Sequence, residues 1–415
     1  MKSTLRRCAV AVAVVTVVSL FQSAGPALAA DKPDAAAART RFCTVPTAPA
    51  GSLEETAWRI FVAINCPKDG LLTWETWTEQ TCLIAPTTPG CTDSTKKTRF
   101  LHVSHLSARN DPTKRLAGDC NSMVTLPLFS SQNPPPSPSL KPFVPKNVTP
   151  TAVFCEEVYV NPAEASFITA PPQAAPGVTL QTLTGQAAYI SATKTPLQFP
   201  KDAVEVKADW LPAASVSPAF DCQAKKPKGV HVEMIGNACY ALAGIHISSK
   251  LYPNWLWATF EPQNSITNPN RCNPKLYSNC RDPWGSNPAV STGKPTAATK
   301  NLTNLMDQAG LAPVFRNYRL VGVQTDFDQP KGTLGLGNSF TEYNAQVPAR
   351  QASCITCHSY AMMNTATPPA PPPSENQNFG AFPNTPPIGK PGPPPAGTWI
   401  PQDFSWLLGI MPAGN

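Results

Sequence analysis

Five consecutive residues in the last quarter of the sequence carry its clearest chemical signal. Cys354, Cys357 and His358 form the pattern C-x-x-C-H, which is typical of covalent haem c attachment. Two residues between the cysteines allow both sulfurs to reach the vinyl groups on one edge of a porphyrin. The adjacent histidine can then bind the iron as its proximal ligand. We therefore predict one covalent haem c, held by these three residues.

Two other kinds of site share part of this pattern. A thioredoxin-like cysteine pair follows a strand in a small α/β domain, and no βαβ pattern surrounds residues 354–358. A zinc site would need a second close pair of cysteines. Cys272 and Cys280 are separated by seven residues, and the sequence has no other C-x-x-C. Both alternatives therefore fit the sequence less well than a haem.

The second axial position of such an iron has two candidate ligands. His246 lies in a predicted strand and points away from the face that carries Ile245 and Ile247. Met411 precedes Pro412, and this pair resembles the Met-Pro context of the methionine ligand in class I cytochromes c. A second protein ligand favours electron transfer, whereas an open position admits small molecules. The residues alone leave His246 and Met411 as alternatives.

The first 29 residues have the organisation of a secretory signal peptide. Lys2, Arg6 and Arg7 precede an apolar run at residues 8–21, and small residues at 27–29 suit a cleavage site. The run of about fourteen residues is too short to cross the roughly 30 Å of a bilayer core. We predict a periplasmic or secreted protein that does not span a membrane.

Export also changes the interpretation of the other cysteines. Of the 13 in the sequence, ten remain after Cys8 of the leader and the two of the C-x-x-C-H pattern are set aside. An even number in an oxidising compartment indicates disulfides. We predict two short-loop pairs, Cys82–Cys91 and Cys272–Cys280, and leave the connectivity of the other cysteines open.

Composition excludes several classes of protein. Proline accounts for 49 of 415 residues, far above its usual share of about 5%, so a coiled coil, an all-helical bundle and a TIM barrel fit poorly. The formal charge of +7 falls to +4 without the three basic residues of the leader. This charge is small and scattered, so we predict no nucleic-acid partner.

Local patterns predict an α+β fold, rich in loops and stapled by disulfides, with a mainly antiparallel sheet and short helices. A capping box begins a helix at Ser52, and a second short helix stops at Gly310. Residues 31–51 have little pattern and are interpreted as a leader of the mature chain. The predicted strands are residues 153–160, 203–210, 240–248, 255–260 and 318–327, the third and fourth forming a hairpin.

These elements suggest three parts. The signal peptide covers residues 1–29, and an N-terminal α+β module covers residues 30–333. A C-terminal helical segment at residues 334–415 carries the haem and includes a proline-rich loop at residues 368–395.

Several segments together resemble a largely uncharacterised family of exported, single-haem, cytochrome-c-like bacterial proteins. They read AWRIFVAINCP with WETW, EVYVNPAE, GIHISSKLYPNWLWATFEPQN, LGNSFTEY and QASCITCHSYA. Because they are distributed over most of the mature chain, the resemblance implies that the module and the haem segment belong to one architecture. It implies no particular substrate. It favours His246, which lies in a matching segment, over Met411.

One redox centre without another cofactor signature is best suited to carrying single electrons to and from a partner protein. The alternative is a peroxidase- or oxidase-like enzyme with an open iron site in the N-terminal module. The length of that module favours this alternative, because a simple carrier needs about a hundred residues. A module in which the haem senses a ligand or is structural is a third possibility.

Overall fold

The structure is a computed structural model, and part of the chain is described in it. The described residues are 33–87, 91, 155–224, 226–235, 238–263, 282–287, 297–327, 336, 353–365 and 399–409. The predicted signal peptide, the proline-rich loop, Met411, Cys272, Cys280 and the boundary at residues 333 and 334 lie outside them.

The described residues form helices and strands in an interleaved order. The helices are α1 (Pro33–Phe42), α2 (Leu53–Ile64), α3 (Gln80–Ile84), α4 (Pro162–Thr169), α5 (Leu183–Thr193), α6 (Lys300–Ala309), α7 (Cys354–His358) and α8 (Trp406–Gly409). The strands are β1 (Pro67–Lys68), β2 (Leu71–Leu72), β3 (Thr78–Glu79), β4 (Cys155–Val160), β5 (Val204–Pro212), β6 (Val232–Ile235), β7 (Ala238–Ser249), β8 (Leu256–Pro262), β9 (Ser286–Asn287), β10 (Ala297–Ala298), β11 (Tyr318–Gln324), β12 (Met362–Asn364) and β13 (Trp399–Pro401).

An antiparallel sheet of seven described strands organises this part of the chain. Its order is β11-β8-β7-β5-β4-β3, and β6 pairs with the start of β7. The predicted hairpin is β7 and β8, where Ile245 pairs with Phe260 and Ser249 pairs with Leu256. β-branched and aromatic residues suit this pleated, buried surface. The predicted α+β class with a mainly antiparallel sheet is confirmed.

One face of the sheet is covered by α2. As its capping box predicts, the hydroxyl of Ser52 accepts a hydrogen bond of 3.1 Å from the amide of Glu55. Phe61 stacks on Phe260 of β8 with ring centroids 4.3 Å apart. Trp58 is fully buried and donates from Nε1 to Asp282 over 2.7 Å. Helix α2 is therefore fixed to this face by apolar packing and by one buried hydrogen bond.

The opposite face carries a second apolar cluster that includes the C-x-x-C-H segment. Ile355 of α7 is fully buried together with Trp257 of β8 and Leu408 of α8. Phe167 of α4 and Phe199 join the same cluster, with ring centroids 4.9 Å apart. The sheet thus separates a face that stabilises the fold from a face that holds the predicted haem segment.

Disulfides cross-link the described residues. The pairs are Cys43–Cys66, Cys82–Cys91 and Cys222–Cys239, and Cys155 is also disulfide-bonded. The predicted pair Cys82–Cys91 is confirmed. Each such link stabilises a fold by about 2–4 kcal/mol, because it restricts the unfolded chain.

The interpretation of residues 31–51 as an unpatterned leader is wrong. Helix α1 occupies Pro33–Phe42 of this segment and packs against α6. Proline at the helix start and the four alanines that follow Asp34 favour a helix there, and Cys43 ties its end to Cys66. Helices α4 and α5 were also not predicted.

No helix within the described ranges combines the length and the apolar character that a membrane crossing requires.

A buried carboxyl at the edge of the sheet makes the stability depend on pH. Burial raises the pKa of Glu79 to about 8, although Thr81 donates to its carboxylate from the backbone amide and the hydroxyl. The unfolded chain releases this proton near 4.5. The free energy of unfolding should therefore fall as the pH rises between these values, by up to about 1.4 kcal/mol per pH unit.

Glu79→Gln should remove this contribution, because the amide carries no ionisable proton. Urea unfolding across the same pH range should show a smaller loss of stability than in the unsubstituted protein. Asp69→Asn, at an exposed carboxyl with positive φ, is the matched control and should leave the pH dependence unchanged. Equal pH dependence in Glu79→Gln and the unsubstituted protein would contradict the assignment.

Candidate functional site

Helix α7 presents both cysteines of the C-x-x-C-H pattern on one side. Residues three apart on a helix lie on the same face, and Cys354 and Cys357 have this spacing. Ile355 between them is fully buried against the sheet, while the two cysteines are partly exposed. Their sulfurs belong to thiols and are not joined in a disulfide. Two cysteine side chains therefore lie partly exposed on one face of the same helix.

The start of α7 is fixed to the edge strand of the sheet. Ser353 precedes the helix, and its hydroxyl caps the backbone amide of Thr356 over 3.4 Å. The same hydroxyl accepts from Nε2 of Gln324, the last residue of β11, over 3.2 Å. Both side chains are buried. The cap thus sets the position of the helix relative to the sheet.

His358 at the end of α7 has one ring nitrogen engaged and the other available. Nδ1 lies 2.8 Å from the carbonyl oxygen of Phe404, which can only accept, so Nδ1 carries the proton. Nε2 then has a lone pair for a metal. Burial lowers the pKa of His358 to about 3; the Phe404 carbonyl opposes this shift, and the charge of Lys207 adds to it. The imidazole is neutral at pH 7, the form that binds metals.

Trp257 forms the wall behind this imidazole. Its ring centroid lies 4.4 Å from that of His358, with the planes inclined by 47°. The indole is itself fixed, because its Nε1 donates to the carbonyl oxygen of Asn254 over 2.9 Å. Aromatic packing on one side and the bond to Phe404 on the other restrict rotation of the His358 ring.

His246 lies on the same face of the sheet, one row of side chains away. It pairs with Thr259 across β7 and β8, and Trp257 stands two residues before Thr259. Residues two apart in a strand are separated by about 7 Å. The Nε2 of His246 lies 3.3 Å from Oγ1 of Thr259. Ile245 and Ile247 point to the opposite core, as the alternation predicts.

Electrostatics also link the two histidines. Burial lowers the pKa of His246 to about 3, and the charges of Lys207 and His358 contribute smaller shifts in the same direction. His358 is therefore near enough for its charge to act on His246. Both imidazoles are neutral at pH 7 and share one region beside the sheet.

Lys207 adds a positive charge to this region. It pairs with His246 across β5 and β7, and its Nζ lies 3.2 Å from Oε1 of Glu156. Burial opposes the charge of Lys207, but Glu156, Asp209 and Glu205 outweigh it, so the pKa of Lys207 is raised. Burial raises the pKa of Glu205 to about 7, against the influence of Lys207. Lysine and carboxylates together form a charged strip beside the two histidines.

The segment that carries Phe404 is clamped on both sides of that residue. Strands β12 and β13 pair antiparallel, and the amide of Gln402 donates to the carbonyl of Ala361 over 2.9 Å. Nε2 of Gln402 donates to Gln186 of α5 over 2.7 Å, and Gln186 in turn donates to the carbonyl of Leu408 over 3.0 Å. The acceptor of the His358 bond is thus part of a hydrogen-bonded loop.

The structure places His246 and His358 on the same face of the sheet and leaves Met411 outside the described residues. Sequence reasoning missed four residues that shape the site, namely Trp257, Phe404, Gln324 and Lys207. Lys207 had one available signal, because it alternates with Glu205 and Asp209 along a strand whose other face, with Val204, Val206 and Ala208, is apolar. The bond from His358 to Phe404 spans 46 residues and has no local signature.

These residues fit a covalent haem. Cys354 and Cys357 on one helix face could bond to it, and His358 could bind its iron through Nε2. Among the described residues, no group of three or more histidine, cysteine or acidic side chains is arranged to hold a metal ion by itself. A porphyrin would supply the remaining ligands. The chain matches no protein-family model, no curated protein and no solved structure.

The cap of α7 should show energetic coupling to β11. Ser353→Ala should lower the free energy of unfolding by about 1 kcal/mol, because the first turn of α7 loses its acceptor. Combined with Gln324→Ala, the loss should be smaller than the sum of the two single losses, because both variants remove the same hydrogen bond. Chemical denaturation of all four proteins measures this coupling.

Ser52→Ala is the matched control, since it removes the cap of α2 on the other face of the sheet. Its combination with Gln324→Ala should be additive. Additive losses for Ser353 and Gln324 would show that the observed contact does not fix the helix.

Proposed function

We propose that this protein is an exported c-type cytochrome with one covalent haem, and that it carries single electrons. The observation that carries the proposal is the hydrogen bond that decides which ring nitrogen of His358 carries the proton. Nδ1 of His358 donates to the Phe404 carbonyl, which leaves the lone pair on Nε2, and Cys354 and Cys357 lie on the same helix. A histidine that ligates a metal almost always donates its other ring N–H in this way.

Each residue of the pattern has a separate role in this proposal. Cys354 and Cys357 would hold the haem through two thioether bonds, because a thiol adds to a vinyl group without releasing a leaving group. His358 would bind the iron through Nε2, and the Phe404 carbonyl would increase the basicity of the imidazole. The haem supplies one-electron redox chemistry. Trp257 and the apolar cluster around it would exclude water from one side of the haem.

We propose His246 as the second axial ligand. It is buried and neutral at pH 7, and it lies one row from Trp257, which packs on His358 on the same face of the sheet. A neutral imidazole is a suitable iron ligand. Met411 remains the alternative.

Two further features agree with an exported carrier. The disulfides of the described residues are typical of an oxidising compartment, which supports a periplasmic or secreted location. The modest net charge fits an aqueous redox partner protein better than a nucleic acid.

The contact between His246 and Thr259 favours one alternative function. The Nε2 of His246 lies 3.3 Å from the Thr259 hydroxyl. This contact could hold the imidazole near the iron as an acid–base group, without a bond to the iron. In that arrangement the sixth position stays open, and the protein would be a peroxidase- or oxidase-like enzyme.

Absorption and electron paramagnetic resonance spectra of the purified holoprotein distinguish the two functions. A carrier should contain low-spin, six-coordinate iron that binds carbon monoxide and cyanide slowly. High-spin ferric iron with rapid consumption of peroxide would contradict the carrier and support the enzyme.

His246→Ala tests the proposed ligand directly. We expect conversion of low-spin to high-spin iron, because the sixth ligand is lost. His231→Ala is the matched control. His231 also lies near the sheet but is bound to Glu233 at 2.6 Å and stacked on Phe315, so its loss should leave the spin state unchanged. An unchanged spectrum for His246→Ala, with a changed one for Met411→Ala, would assign the position to Met411.

A further inference from the structure

Two consecutive residues hold the Phe404 carbonyl in an unusual backbone conformation. The φ angles of Asp403 and Phe404 are +50° and +66°. This left-handed region is unfavourable for residues other than glycine and persists where surrounding contacts impose it. The carbonyl that accepts from His358 therefore depends on whatever fixes residues 403 and 404.

A buried ion pair provides that restraint. Oδ1 of Asp403 lies 2.6 Å from Nζ of Lys250, and the two side chains are 6% and 8% exposed. Oδ2 of Asp403 accepts from the amide of Phe199 over 2.8 Å. Both carboxylate oxygens are thus engaged by groups outside the C-terminal segment.

Lys250 is itself fixed to the sheet. It directly follows β7, and its Nζ also donates to the carbonyl oxygen of Pro253 in the turn before β8, over 2.8 Å. The ammonium lies 5.8 Å from the ring of Trp255 in the same turn. The hairpin that carries His246 and Trp257 therefore also positions Asp403.

We propose that the Lys250–Asp403 pair is a positioning device that sets the reduction potential of the haem. The pair acts on the iron through the Phe404 carbonyl and His358, without contact to the haem. A strong bond from Nδ1 makes the imidazole a better donor and stabilises ferric iron, which lowers the potential. This inference rests on the proposed function and adds the residues that regulate it.

The direction in which the reduction potential moves in two single variants distinguishes an effect of charge from an effect of position. If the pair acted by charge alone, Lys250→Met would lower the potential and Asp403→Ala would raise it. Positioning predicts a higher potential in both variants, because each releases residues 403 and 404 and weakens the bond to His358. Redox titration of the holoprotein, followed by its absorption spectrum, measures the sign.

The double variant Lys250→Met with Asp403→Ala allows the same test if a single variant fails to fold. A single substitution leaves a buried charge without its partner, whereas the double variant leaves none and does not alter the net charge. Its potential should also rise, and the Nδ1 proton of His358 should exchange faster with solvent in the ferrous form. Glu55→Ala with Arg59→Met removes another ion pair, on α2, and should leave both measurements unchanged.

The outcomes separate this inference from the proposed function. The holoprotein could contain one covalent haem whose reduction potential moves in opposite directions in the two single variants. That result would overturn the positioning role and would agree with the proposed cytochrome function. An unchanged potential in the double variant overturns it as well. A purified protein without covalent haem overturns both proposals.

Discussion

The hydrogen bond from His358 Nδ1 to the carbonyl of Phe404 is the contact on which the candidate site depends. It decides which ring nitrogen carries the proton and therefore which one can bind a metal. It also joins two segments separated by 46 residues, so the orientation of the His358 ring depends on the C-terminal segment. The contacts of Gln402 and Asp403 hold the backbone with positive φ that presents this carbonyl.

The two faces of the sheet carry different kinds of side chain. Toward α2 it presents aromatic and branched side chains, and Phe61 stacked on Phe260 represents that packing. Toward α7 it presents Lys207, His246 and Trp257, a polar and aromatic set that apolar packing alone would not require. Burying ionisable groups costs several kcal/mol each unless they are paired or neutral. The neutral histidines and the Lys207–Glu156 contact meet this condition on the face that holds the motif.

Local signals predicted those parts of the fold that depend on neighbouring residues. The Ser52 cap, the helix stop at Gly310, the hairpin of β7 and β8, and the short Cys82–Cys91 loop were all readable from spacing and residue type. Strand alternation even assigned His246 to the correct face. The partners of the site could not be predicted, because Lys250 and Asp403 are 153 residues apart and no periodic pattern links them. Helix α1 was missed because its alanines favour a helix without producing an amphipathic pattern.

Mass spectrometry of the exported protein tests the central claim most directly. After denaturation and extraction with acid and organic solvent, the peptide that contains Cys354 and Cys357 should retain the mass of one haem. Replacing both cysteines with alanine should abolish that retention. A peptide of unmodified mass, or one in which the two sulfurs are bonded to each other, would contradict the account.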